Sequence, residues 1–139
     1  MFLLDTNVVS ELRKAALGKA DKSVISWAVS VPASAMHLSV ISILEIELGI
    51  LLLARKDRQQ AHIIQTWLED YVLAAFGERI LPIDVPVARK CAELHVPNRR
   101  AERDALIAAT TLVHGFTLVT RNVADFEVQG VKILNPWQN

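Results

Sequence analysis

The chain begins MFLLDTNVVSE, and Phe2-Leu3-Leu4 offers no polar position on either side of a strand. A strand with one solvated face alternates apolar and polar residues. One that is apolar throughout is covered on both faces, the condition of an interior strand in a parallel sheet. Parallel neighbours cannot be joined by tight turns; each needs a crossover, usually a helix. The rest of the chain supplies that alternation. Val8, Val9 and Leu12 form a short helical stripe. Asp21 is placed to cap a helix that runs past Trp27 and stops before Pro32. Met36–Ser39 reads as a second strand. Residues 42–55 form a strongly apolar helix. Asp57 opens a long helix with Ile63, Ile64, Trp67, Leu68, Val72 and Leu73 on one face, ended by Gly77. Residues 79–82 form a strand whose proline places it at an edge. Helices over 86–95 and 105–113 and strands over 117–120 and 131–134 complete the pattern. The expectation is one α/β domain over residues 1–139, with a central parallel sheet flanked by helices.

Composition narrows the function. The chain has 15 basic and 15 acidic residues and no net charge, which excludes nucleic-acid binding by bulk charge and leaves segregated patches. Cys91 is the only cysteine, so neither an internal disulfide nor a cysteine cluster is possible, and a reducing compartment, the cytoplasm, is expected. His37, His62, His95 and His114 show no ligand spacing and read as surface or packing residues. The N-terminus lacks the basic region of a signal peptide. The apolar run over residues 46–54 is shorter than the roughly 18 residues of a membrane span, so no membrane association is expected.

In a parallel sheet, sites form beyond the carboxyl ends of the strands. Asp5 ends the first strand, and Thr120-Arg121-Asn122 ends the fourth. Four acids recur in this pattern, each with a structural alternative. Asp5 is also a good helix cap, worth about 1 kcal/mol. Glu45 completes a capping box with Ser42, yet shares a helix face with Leu48, Gly49 and Leu52, a face expected to point inward with Gly49 allowing close approach. Asp104 sits in the first turn of its helix, where the helix dipole favours an anion, and its face continues through Ile107, Ala108 and Thr111. Asp125, in TRNVADF, is equally suited to a turn. Together they imply clustered carboxylates, and a pair ~4 Å apart repels by roughly 4 kcal/mol at a typical protein dielectric. A cation or bound protons must offset that. Oxygen donors without thiolate suit Mg²⁺ or Mn²⁺.

LLDTNVVSE, SVISILEIELG, ERDALIAAT, LVTRNVADF and ILNPW, in this order and spanning nearly the whole chain, resemble the PIN-domain ribonucleases, above all the VapC toxins and their FitB-like branch. The resemblance implies a Rossmann-like three-layer sandwich and an acidic site that holds Mg²⁺ or Mn²⁺ and hydrolyses RNA phosphodiesters. Matched by motif, Asp5, Glu45 and Asp104 correspond to the first three acids. Glu45 is taken over Glu47 because the family's acid stands four residues before the helix glycine, here Gly49. Thr6 and Asn7 match the polar pair after the first acid. FitB-like relatives carry Asp directly after Thr-Arg, where this chain has Asn122. Either Asp125 substitutes from the same loop, or Asn122 offers a neutral oxygen.

On this reading Asp5 and Asp104 are the main metal ligands, Glu45 a general base or water holder, and Thr120 and Asn7 orienting partners. Arg99, Arg100, Arg103 and Arg121 are the candidate RNA-phosphate contacts. With aromatics at 6%, no stacking platform for single strands is expected. The resemblance further implies a homodimer and a VapB- or FitA-like antitoxin, with DNA contacted only through that antitoxin. Core burial is expected for most apolar side chains of the 42–55 helix, and an anchoring role for Trp137. A haloacid-dehalogenase-like phosphatase is disfavoured, because it wants a second Asp where Asn7 stands. A non-cleaving PIN-like module that binds RNA or protein is the remaining alternative.

Overall fold

The protein is described from a computed structural model that covers residues 1–127 and 130–138. Five parallel strands form one sheet: β1 (Phe2–Leu4), β2 (Met36–Ser39), β3 (Ile80–Leu81), β4 (Thr117–Val119) and β5 (Lys132–Leu134). Their order is β3-β2-β1-β4-β5, so the all-apolar opening strand is central, and β3, shorter than the expected 79–82 and ending just before Pro82, lies at an edge. Phe2 pairs with Met36 on one side and Thr117 on the other. The chain builds outward through β2 and β3, then returns to the opposite side of β1 with β4. The direction of winding therefore reverses between β1 and β4, where an open α/β sheet forms its crevice.

Side-chain alternation divides the core between the two faces of the sheet. Leu3 and Leu118 pack with Ile41, Ile107 and Phe126. Leu4 and Val119, one residue on, pack with Val8, Leu38 and Trp27. The expectation that β1 is buried on both faces holds, with Leu3 and Leu4 almost wholly excluded from solvent.

The crossovers are helical: α1 (Thr6–Arg13), α2 (Lys22–Val29), α3 (Val40–Ala54), α4 (Arg58–Trp67), α5 (Leu73–Phe76), α6 (Val85–Leu94) and α7 (Glu102–His114). Asp21, Asp57 and Asp84 cap α2, α4 and α6 by accepting backbone N–H bonds from the first turn. Gly77 and Gly115 end α5 and α7 at φ 48° and 68°, a region costly for residues with a Cβ.

Three expectations about helix faces change. Ser39, at the end of β2, caps α3 by accepting the Ile41 N–H, so Ser42 lies inside the helix and no capping box forms with Glu45. The buried face of α3 runs through Ile41, Ser42, Ile46 and Ile50. Leu44, Leu48, Leu51 and Leu52 are exposed rather than core. Between α4 and α5 the helix takes one π turn over Leu68–Val72. The inward stripe there is Ala61, Ile64, Leu68 and Val72, which leaves Ile63 and Leu73 facing out.

Leu118→Ala, at the wholly buried centre of the sheet, is expected to cost about 2–5 kcal/mol in urea unfolding. Ile63→Ala, on the outward face of α4, is expected to change stability by less than about 0.5 kcal/mol. Equal losses would contradict the assignment of faces.

Candidate active site

The site is built where β1 and β4 end. The Asp5 N–H donates to the Val119 carbonyl at 2.9 Å, extending the ladder one residue beyond β1. The chain then turns into α1, and Asp5 Oδ1 accepts the Thr6 N–H at 2.8 Å. Its other oxygen, Oδ2, accepts the Thr120 hydroxyl at 2.8 Å and lies 3.4 Å from the Asn7 amide nitrogen. Asp5 thus caps α1 and, only 6% exposed, ends at the crevice beyond the strands.

Thr6, Asn7 and Thr120 organise that floor. The Thr6 hydroxyl donates to Glu45 Oε1 at 2.7 Å, and its oxygen lies 3.0 Å from Ser42 Oγ, which links α1 to α3. Asn7 donates to Asp5 and to Thr120 Oγ1 and accepts the Arg121 N–H at 3.4 Å. Thr120, fully buried, also accepts the Asn122 N–H at 3.0 Å. Position 122 therefore steadies the Asp5 partner through its backbone, while its side chain is exposed.

Glu45 reaches this floor from the flank of α3, not from a stripe that points inward. Leu48 and Leu52 face solvent, and a Cβ added at Gly49 would meet nothing, so close approach does not explain that glycine. Asp104, half-buried in the first turn of α7, stands above Ala105, Ile107, Ala108 and Thr111, all buried as its helical face implies. It lines a cavity of about 220 Å³ with Arg100, Ala101, Ala105, Ala108 and Asp125. Asp125 comes from the 3₁₀ turn Val123–Phe126 that follows β4.

These carboxylates feel one another. Burial pushes the Asp5 carboxyl above its ordinary value, and the charges of Glu45 and Asp104 push it further. Hydrogen bonds from Thr120 and Thr6 act in the opposite sense. Asp104 is raised first by burial, then by Asp125 and Glu45, with Arg103 opposing. Among the described residues, the donors gathered at this floor are carboxylate, hydroxyl and amide oxygens, matching the preference of hard divalent cations.

The arginines divide. Arg103 lies 3.7 Å from Glu45. Arg100 borders the cavity, but its Nε donates to the Leu94 carbonyl at 3.0 Å. The Arg121 guanidinium rests 5.1 Å over the Trp137 ring, so the tail tryptophan both packs on the core and supports a cation beside the site. Arg99 is exposed in the same loop as Arg100.

Two features escaped sequence reading. Ser42, assigned to a cap, instead contacts Thr6. His95, expected to have no ligand partners, lies beside Cys91 and Glu102. The signal was present: Cys91 and His95 are four residues apart on one helix, the spacing that puts two side chains on one face.

The PIN-domain family model matches residues 2–128. VapC ribonuclease Y4jK of Sinorhizobium fredii is 36% identical over 143 residues, covering 99% of both chains. Toxin FitB of Neisseria gonorrhoeae is 34% identical over 145 residues, covering all of both. The crystal structure of FitAcB from Neisseria gonorrhoeae contains a chain that superposes with a TM-score of 0.88 at 33% identity over the full length of both. With the strand order, the acidic crevice and these relatives in agreement, the chain belongs to the PIN-domain family, in its VapC and FitB branch.

Proposed function

We propose that the chain is the toxin of a type II toxin–antitoxin pair, a single PIN domain over residues 1–139 that hydrolyses RNA phosphodiester bonds with a divalent cation, Mg²⁺ or Mn²⁺. The observation that carries this reading is the convergence of Asp5, Glu45, Asp104 and Asp125 at the sheet's switch point, with Asp5 and Asp104 held above the ordinary carboxylate range. A fold gains nothing from that repulsion, whereas a cation turns it into binding energy. Relatives named as a ribonuclease and as a toxin support it further. The non-cleaving alternative is not favoured, because a binding module has no use for such a cluster.

Asp5 and Asp104 are assigned as the cation's main ligands. When bound, that cation acidifies water and stabilises charge on phosphate oxygens. Thr120, Asn7 and the Thr6 N–H hold the Asp5 carboxylate in one orientation before substrate arrives. Glu45 has one oxygen held by Thr6 and the other toward Arg103, which fixes its carboxylate at the edge of the floor, placed to accept a proton from the attacking water. Asp125 is preferred to Asn122 as the fourth acid, because it lines the Asp104 cavity and its charge, after burial, raises Asp104, whereas Asn122 meets the site through its backbone N–H. Arg99, Arg100, Arg103 and Arg121 rim the site and are assigned to RNA phosphates.

The partners follow from the relatives and one surface. The FitB structures are complexes with FitA, one of them bound to DNA. A cognate antitoxin of that kind is proposed here, with DNA reached through it, in the cytoplasm where RNA is available. Among the described residues no helix is long and apolar enough to cross a membrane. A helix that is apolar on all sides is normally covered, and the exposed Leu44, Leu48, Leu51 and Leu52 of α3 support self-association.

Three outcomes test this reading. On total RNA, Asp5→Asn and Asp104→Asn are expected to lower the cleavage rate by more than about 100-fold and Thr120→Val by about tenfold, with chelator abolishing cleavage. Full activity in Asp5→Asn would exclude the assigned site. The second outcome concerns stability without metal. A carboxyl raised on folding binds protons more readily in the folded state, so its contribution is present below the ordinary value of 3.8 and is lost as pH rises through the raised value. In chelator at neutral pH, Asp5→Asn is therefore expected to melt higher than wild type. The gap should close as pH falls toward 4, and a lower melting point at neutral pH would contradict the burial argument. Third, Leu51→Glu is expected to halve the mass measured by light scattering; an unchanged mass would place the dimer contact elsewhere.

A further inference from the structure

We infer that Cys91, His95 and Glu102 form a second cation site, chemically distinct from the acidic floor, which takes a thiophilic divalent metal of the Zn²⁺ type. Cys91 and His95 stand one helical turn apart at the carboxyl end of α6, and Glu102 opens α7, which packs against it. The Cys91 sulfur lies 3.8 Å from His95 Nε2 and 3.8 Å from Glu102 Oε1, and His95 Nε2 lies 3.4 Å from Glu102 Oε2. Donors bound tetrahedrally to one zinc at the usual bond lengths are separated by about 3.3–3.6 Å. Glu102 turns a different oxygen to each partner; with one donor atom from each residue the three lie within 4.8 Å of one another, so side-chain rotations close them on one ion.

The surroundings favour this reading. Cys91 is buried against Val87, Ala105 and Ala109, whereas the Glu102 side chain is 63% exposed and opens the site to solvent for entry. A thiolate, a neutral imidazole and a carboxylate carry two negative charges between them, which a divalent ion neutralises. Thiolate and imidazole strongly favour Zn²⁺ over Mg²⁺, while the all-oxygen floor suits the abundant Mg²⁺ or Mn²⁺ and gives Zn²⁺ no soft donor, so the two sites differ in donor type.

Binding has a definite proton balance. Without metal, the Arg100 N–H donates to His95 Nδ1 at 3.1 Å, so the imidazole carries its proton on Nε2, facing Glu102. Coordination through Nε2 requires that proton to leave and Nδ1 to gain one from solvent. The thiol proton passes to solvent, giving a net release of one proton per metal. The Arg100 N–H then loses its acceptor and turns to water. The loop between α6 and α7, whose Arg100 borders the Asp104 cavity, thereby loses one of its ties to α6. Occupancy of this site is coupled to the proposed RNA-binding rim by a single hydrogen bond.

The test is a Co²⁺ titration of the full chain with Mg²⁺ in excess, followed by absorption. Wild type and Asp5→Asn are expected to develop a near-ultraviolet thiolate-to-cobalt charge-transfer band at one equivalent, which added Zn²⁺ displaces. The band should vanish in Cys91→Ser. Binding should weaken by at least about tenfold in His95→Gln and Glu102→Gln, with circular dichroism confirming that each variant folds. In an amide spectrum, the Arg100 resonance should shift on Zn²⁺ addition. No charge-transfer band at saturating Co²⁺, or a band of unchanged affinity in both His95→Gln and Glu102→Gln, would overturn the assignment and leave the triad as a hydrogen-bonded brace. Because Asp5→Asn is included, failure here is separable from failure of the nuclease reading.

Discussion

A hydroxyl–carboxylate contact ties the architecture to the site: Thr120 Oγ1 to Asp5 Oδ2, 2.8 Å, across the ends of β1 and β4. The two residues are 115 positions apart in the chain, so the bond exists only once the parallel pairing of β1 with β4 is complete. That pairing puts both residues at the one point where the sheet changes its winding direction. Thr120 is fully buried and would be costly without a partner. Asp5 is nearly so, and three donors hold its carboxylate in one orientation.

Electrostatics shows what the arrangement costs. Asp5 and Asp104 are both raised above the ordinary carboxylate range, by burial first and by neighbouring acids second. Hydrogen bonds from Thr120 and Thr6, and the charge of Arg103, offset only part of that. The fold therefore carries a destabilised cluster at neutral pH, as functional sites commonly do. The Cys91 thiol is likewise pushed up by burial and by the adjacent Glu102. At each proposed site donor chemistry would decide which cation offsets these charges.

The α3 helix serves three surfaces at once. Ile46 and Ile50 enter the core, Ser42 and Glu45 meet Thr6 at the site, and Leu44, Leu48, Leu51 and Leu52 face outward. A residue-by-residue stripe cannot tell these faces apart, because an all-apolar helix has no polar side to mark solvent. This is why the inward face assigned from Leu48 and Leu52 was rotated, and why the capping box at Ser42 gave way to Ser39. A serine one turn earlier, at the strand's end, competes for the same N-terminal donors.

Local chemistry read from the chain determined the central position of β1, the edge position of the strand that ends before Pro82, the aspartate caps and the acids that follow strands. Each depends on residues within a few positions of one another. Tertiary structure decided which carboxylates meet, which leucines are left uncovered, and that Asp125 lies closer in effect to Asp104 than Glu45 does. It also brought Glu102 from a separate helix to the Cys91–His95 turn, and set Arg121 on Trp137. These are contacts between distant segments, and only the packed sheet, with its reversal between β1 and β4, brings them within reach.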